Sequence, residues 1–307
     1  MVEKGIKLSN QSLQQVVVWC VLAFSLVMGM PTIPFASTEG VVETILDADE
    51  YFPNEPGNEW RYRGRIMEGA VEQIADETFM NTAVVKGEEL IDGVALTTFH
   101  DTNPGNQGQS DSYYRLDAAG IVYYGSKPGT VLERQLVPYQ VVRFPIQIPS
   151  SFEQLDRKDL DLGLDLDRDG ETERVDVQAS LQIVKKEPVS VPLRTYAEAI
   201  RLEARMTMRV YLSGINQVVQ GSDTMMAWFV KGVGLVKYIE RQSVPMLGSG
   251  KDRLIEISEE LEGLKIEANM TSLHRGKSAA KRVFTDHTFH HKLLQVPFPS
   301  RFLAYPR

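Results

Sequence analysis

Along residues 174–183 apolar and polar side chains alternate without a break: Val175, Val177, Ala179, Leu181 and Ile183 against Arg174, Asp176, Gln178, Ser180 and Gln182. A period of two is that of a strand with one buried face. Residues 200–212 repeat it, with Ile200, Leu202, Ala204, Met206, Met208, Val210 and Leu212 at even positions and Arg201, Glu203, Arg205, Thr207, Arg209 and Tyr211 between them. Composition there favours helix, because Ala, Glu, Arg, Leu and Met are good helix formers, but a helix would scatter the apolar residues around its whole circumference. Burying each large side chain is worth about 1.5–3 kcal/mol, and each propensity step at most about 0.7 kcal/mol, so a long strand is predicted.

Shorter segments follow the same logic. Trp60, Tyr62, Gly64 and Ile66 alternate with Arg61, Arg63 and Arg65, which puts aromatics on one face and guanidinium groups on the other. Asp92-Gly93 marks a turn, Ala119-Gly120 joins SYYRLD to IVYYG as a hairpin, and Gly232 and Gly234 mark a kink between strands. Further strands are predicted around 79–86, 94–100, 139–144, 225–230, 235–241 and 254–259, with helical signals only at 41–47 and 151–159. The fold class is therefore mainly β: a large curved antiparallel sheet or open half-barrel with few short helices. Its apolar concave side is suited to a helix or a ligand, and Trp60, Tyr62, Met206, Met208 and Trp228 are the candidate lining of such a cavity. For Trp60 and Trp228 the plainer role is to anchor the core.

Composition narrows the function. The 307 residues are 43% hydrophobic, enough for a core of ordinary size, and the net charge of −8 argues against a nucleic-acid binder. Residues 16–30, VVVWCVLAFSLVMGM, carry no charge and are followed by Pro31 and Pro34. Such a run suits the apolar region of an export signal and is short for a spanning helix. Residues 1–36 are thus expected to be a signal peptide, or an N-terminal membrane anchor if uncleaved, and the location extracytoplasmic, either periplasmic or secreted. Cys20, the single cysteine, follows Trp19 inside the apolar run and does not form a lipobox. Residues 37–264 are expected to form the β-rich domain, and 265–307 a basic tail rich in His and Pro that is probed most simply as a solvated, irregular extension.

One motif carries chemistry. Within an acidic stretch at 153–176 lies GLDLDRDGETERVD, where Asp165, Asp167 and Asp169 recur at every second residue, Gly170 follows, and Glu173 comes four residues after Asp169. Oxygen ligands at alternate positions converge on a hard cation, and Gly permits the sharp turn. Asp165, Asp167, Asp169, Glu171 through its backbone carbonyl, and Glu173 are the candidate ligands of a structural Ca2+; the competing possibility is an acidic surface turn. Asp176 takes the twelfth position of an EF-hand loop but sits on the polar side of the following strand. No catalytic residue is identified. Residues 246–251 fail as a phosphate loop, and His100, beside Asp101, is better read as a hydrogen-bonded residue than as the base of a hydrolase. The arginines of 61–65 and 201–209 are expected to pair with carboxylates across the sheet.

Four landmarks, YFPNEPGNEWRYR, YYRLDAAGIVYYG, EPVSVPLRTYAEAIRLE and WFVKGVGLVKYIER, together resemble a group of uncharacterised bacterial envelope proteins and candidate lipoproteins. Those proteins open with YFP…G..W.Y and close with a GVGLVK-type strand. The resemblance spans about 51–264 and implies an exported β-rich domain, similar in architecture to the lipoprotein-carrier half-barrels of the bacterial envelope. A lipid-modified Cys after the signal, present in many of them, is missing here. The leading expectation is a non-catalytic exported protein that binds an apolar or amphiphilic small molecule or docks an envelope protein. The alternatives are a hydrolase of an envelope substrate using carboxylates, with its paired acids in a cleft, and a structural module of a surface assembly, with a filled core.

Overall fold

The computed structural model describes residues 42–70, 73–103, 109–245 and 252–267. The signal expected at 1–36, the His-rich part of the tail and the turn at 246–251 lie outside the described residues. Twelve antiparallel strands form one sheet, built as two meanders joined in the middle. The first arm comprises β2 (Glu59–Ala70), β3 (Gln73–Ile91), β4 (Val94–Asp101), β5 (Ser110–Asp117), β6 (Gly120–Lys127) and β7 (Tyr139–Arg143). The second comprises β9 (Ser150–Asp161), β10 (Arg174–Ser190), β11 (Thr195–Leu212), β12 (Gln217–Val230), β13 (Gly234–Pro245) and β14 (Asp252–Lys265). Pairing of β14 with β2 zips the arms together, with Trp60 opposite Leu264 and Ile66 opposite Ile257.

The sheet curls into a nearly closed barrel. Its edge strands β7 and β9 come together, and Gln154 Nε2 donates to the Gln140 carbonyl across the seam (3.3 Å). A separate two-stranded ribbon of β1 (Glu43–Ile45) and β8 (Ile146–Ile148) adds Ile45, Ile146 and Ile148 to the core. The α-helix α1 (Val131–Leu136) begins with a capping box between Thr130 and Glu133 and packs Leu132 and Leu136 against Leu155, Val177 and Met208.

Alternation becomes burial as the sequence predicts. Val175, Val177, Ala179, Leu181 and Ile183 all face inward from β10, and Ile200, Leu202, Met208, Val210 and Leu212 are buried on β11. Outward arginines pair with carboxylates: Arg63 with Glu262 (3.1 Å), Arg65 with Asp76 (2.5 Å) and Arg201 with Glu187 (3.2 Å) and Glu203 (2.8 Å). At Gly232 and Gly234 φ is +71° and +90°, and the tight turn they allow places the Val233 carbonyl 2.7 Å from Trp60 Nε1.

Both helical signals are overturned. Residues 43–45 form β1 and 48–51 a short 3-10 turn, while 150–161 form β9. The latter error has a geometric origin. Phe152 and Leu155 are three apart, a helical spacing, yet they oppose Leu181 and Ala179 because Gln154 is an extra residue bulged out of the ladder. A bulge converts a spacing of three into two residues on one face.

Candidate functional site

The connection between β9 and β10, residues 162–173, holds the predicted ion ligands. Its mouth is closed by backbone bonds from Leu162 N–H to the Glu173 carbonyl and from Glu173 N–H to the Leu164 carbonyl, both 2.9 Å. Glu173 is fully buried, and its carboxylate accepts the amides of Leu166 (3.1 Å), Asp167 (3.2 Å) and Ser213 (3.2 Å). Asp165 accepts the amides of Arg168, Asp169 and Gly170 at 2.6, 3.2 and 3.0 Å. Asp167 Oδ2 accepts the Gly214 amide (2.9 Å), while its buried Oδ1 has no hydrogen-bond partner.

Carboxylate oxygens of Asp165, Asp167 and Glu173 lie within 4.8 Å of one another. Two oxygens each about 2.4 Å from a shared Ca2+ are at most about 4.8 Å apart, so this trio is spaced for such an ion, and the unpartnered oxygen is the kind of group one would satisfy. The other two expected ligands are placed differently. Asp169 turns to Ser213, whose hydroxyl donates to its Oδ2 (2.7 Å), and this bond, followed by the Glu171 amide, holds the Asp169 carboxyl below its usual range. Glu171 is exposed and outside the trio. Asp176, as expected, stays on the strand face, accepting the Tyr211 hydroxyl (2.7 Å) and the Asp159 amide (3.0 Å).

The five residues expected to line an apolar cavity are not gathered at one opening. Trp60 and Tyr62 are core residues whose polar atoms bond the carbonyls of Val233 (2.7 Å) and Leu235 (3.1 Å). Met206 and Met208 pack in a second cluster with the helix residues Leu132 and Leu136. Trp228 is buried in the same core cluster as Trp60 and Tyr62, opposite Arg201 and Lys237 on the adjoining strands, and donates to Glu187 (2.8 Å). A groove of about 670 Å³ opens elsewhere, between the β3–β4 hairpin tip, strands β5 and β6, and α1. Leu96, Tyr113, Tyr124, Val137 and Pro138 give it apolar walls, with Glu89 and Asp92 at one side and Lys127 and Arg134 at another. Glu133, at its base, is occupied by the Tyr123 hydroxyl and by Ser126 Oγ (2.9 Å).

A further set of residues escaped the sequence reading. Asp101, Asp223, Glu240 and Glu259 are 4%, 6%, 2% and 5% exposed and face the barrel interior. Asn81 Nδ2 donates to Asp101 Oδ2 (3.3 Å) and Glu259 Oε1 (3.0 Å). Tyr238 and Gln242 both donate to Glu240, and Gln242 is the direct cross-strand partner of Asp223. Burial, tempered by bonds from Asn103 and Asn81, pushes the Asp101 carboxyl up to about 6. Burial and then the charge of Asp101 drive Glu259 well above its usual range, and burial and then Glu240 do the same to Asp223. The signal was present in the phase of β14: Ile255, Ile257, Glu259 and Leu261 share one face, so a carboxylate sits where the pattern calls for an apolar residue.

No protein-family model and no curated protein matches the chain. Among solved structures, it is similar to a candidate lipoprotein from Parabacteroides distasonis, at 12% identity over 70% of this chain and 98% of that one, with a TM-score of 0.31. It is also similar to a candidate exported protein with a YmcC-like fold from Bacteroides fragilis, at 11% identity over 70% and 98% of the two chains, with a TM-score of 0.30. At scores this low, fold and function rest on the chain's own geometry.

Proposed function

We propose that this chain is an exported, non-catalytic envelope protein that binds an apolar or amphiphilic small molecule in the groove beside α1, and that its β9–β10 loop holds a structural Ca2+. The observation that supports binding is the groove itself: about 670 Å³, the size of a small-molecule site, with apolar walls and charged groups at its sides. Export is supported by the uncharged run at 16–30. The Ca2+ would be held by Asp165, Asp167 and Glu173; its part would be structural, pinning the loop to the start of β10, since all three oxygens come from one short connection that ends at that strand. Enclosure of Asp223, Glu240 and Glu259 speaks against a hydrolase, which needs its acid pair at a substrate cleft.

Titration with a fluorescent dodecyl-chain amphiphile tests the binding. The full chain is expected to bind it saturably at one site, and Tyr124→Ala together with Val94→Lys is expected to weaken binding at least about tenfold, the loss of about 1.4 kcal/mol. Absence of saturable binding, or equal binding by the variant, contradicts the proposal.

A further inference from the structure

The interior carboxylates belong to neither the groove nor the loop. Asp223 and Glu240 are buried on one interior layer, Asp223 directly opposite Gln242 and Glu240 two residues from Gln242 on the same strand, and burial followed by the charge of Glu240 favours a proton on Asp223. Glu240 accepts from Tyr238 and Gln242. Asp223 Oδ1 and the neighbouring Gln242 Oε1 are buried without hydrogen-bond partners. Glu259 receives a hydrogen bond from the neutral amide of Asn81. Burial and the neighbouring Asp101 make an ionised Glu259 costly and favour its acid form against the Asn81 bond.

Among the described residues, what faces this layer is acidic or neutral. Tyr62 comes from β2, Asn81 from β3, Asp101 from β4, Met206 from β11, Tyr238 and Gln242 from β13, and Tyr196 of β11 lies near Tyr62. His100 acts on Asp101 from the other side of β4, where its Nδ1 is 2.8 Å from Asp111 Oδ1 and Lys86 Nζ is 2.7 Å from the same oxygen. We propose that the layer is a proton-operated latch: protons kept on Asp223 and Glu259 hold β12, β13, β14 and β3 together across the interior, and their loss sets like charges against each other where no cation among the described residues faces them, parting the strands and admitting water. The latch is shut in acidic and neutral surroundings and opens in alkaline ones. It depends on the interior layer alone, so it stands or falls separately from binding at the groove.

Hydrogen exchange of the full chain between about pH 6 and about pH 9, corrected for the chemical exchange rate, tests it. Protection of β12–β14 is expected to fall more than about tenfold in the wild type and to persist in the Asp223→Asn/Glu259→Gln double variant, whose interior cannot ionise at those positions. If the double variant does not fold, Glu259→Gln alone should retain part of the protection. Infrared spectra at neutral pH should also show a protonated-carboxyl stretch that weakens in Glu259→Gln. Protection that does not depend on pH, equal loss in wild type and variant, or absence of that band at neutral pH would overturn the latch.

Discussion

Gln135 of α1 serves Asp161 as a substitute strand: its Nε2 donates to the Asp161 carbonyl (2.7 Å) and its Oε1 accepts the Asp161 amide (3.0 Å). Asp161 ends β9, an edge of the sheet, where free backbone groups invite pairing with another chain. Replacing Gln135 by Ala is therefore expected to lower stability by about 1 kcal/mol, read by urea denaturation, and to increase self-association on size-exclusion chromatography. Unchanged stability and an unchanged elution profile would show that the helix does not guard this edge.

Calcium should stabilise the folded chain. At a free concentration about one hundred times the dissociation constant, the gain is about 2.7 kcal/mol, seen as a rise in melting temperature that a chelator reverses. Asp165→Asn with Asp167→Asn should abolish the rise, because both oxygens belong to the converging trio. Asp176→Asn should preserve it, since that carboxylate is engaged with Tyr211 and Asp159.

Stability should fall as pH rises from about 4 to about 6, the reverse of the usual acid limb. The folded Asp101 titrates at about 6, while an unfolded Asp titrates near about 3.9. The folded state thus binds this proton more tightly, and its stabilisation is complete below about pH 4 and lost by about pH 6, a difference of about 3 kcal/mol. Carboxylates lowered by their partners, Asp176 and Asp161 among them, act with the opposite sign and withdraw stability only as pH falls through and below about 4. Urea denaturation across this range should show the decline in the wild type and a flatter profile in Asp101→Asn; parallel profiles would refute the assignment.

Gly120 is held at φ +128°, and a Cβ there would lie 2.0 Å from the Val142 carbonyl oxygen of the adjoining strand. Because the obstacle is backbone in the β6–β7 ladder, Gly120→Ala should cost about 2 kcal/mol or more and loosen that edge first. Gly93, with φ +79° and open space around its Cβ position, should lose only the strain of the backbone, about 1 kcal/mol. Thermal melts of the two variants compare them directly.

The sheet was legible because burial in a curved sheet is written with a period of two, and β10 and β11 keep that period over their central residues. It failed at Gln154, where a bulged residue imitates helical spacing. The geometry of the acidic loop was half legible. Alternate carboxylates marked it, but backbone amides and Ser213, forty residues on, decide which of them converge. The groove was not legible, since its walls come from β3, β4, β5, β6 and the α1 region, which no local pattern joins. Glu259 was visible as a fault in the apolar phase of β14, but its meaning depends on Asn81, 178 positions away.

Native mass spectrometry of the full chain purified from its own compartment, with and without chelator, tests the central claim most directly. The account predicts the protein with one retained small molecule and one calcium ion, the ion alone being removed by chelator and the molecule alone by the Tyr124→Ala/Val94→Lys change. A protein that carries neither, from a preparation in which it is folded, would contradict it.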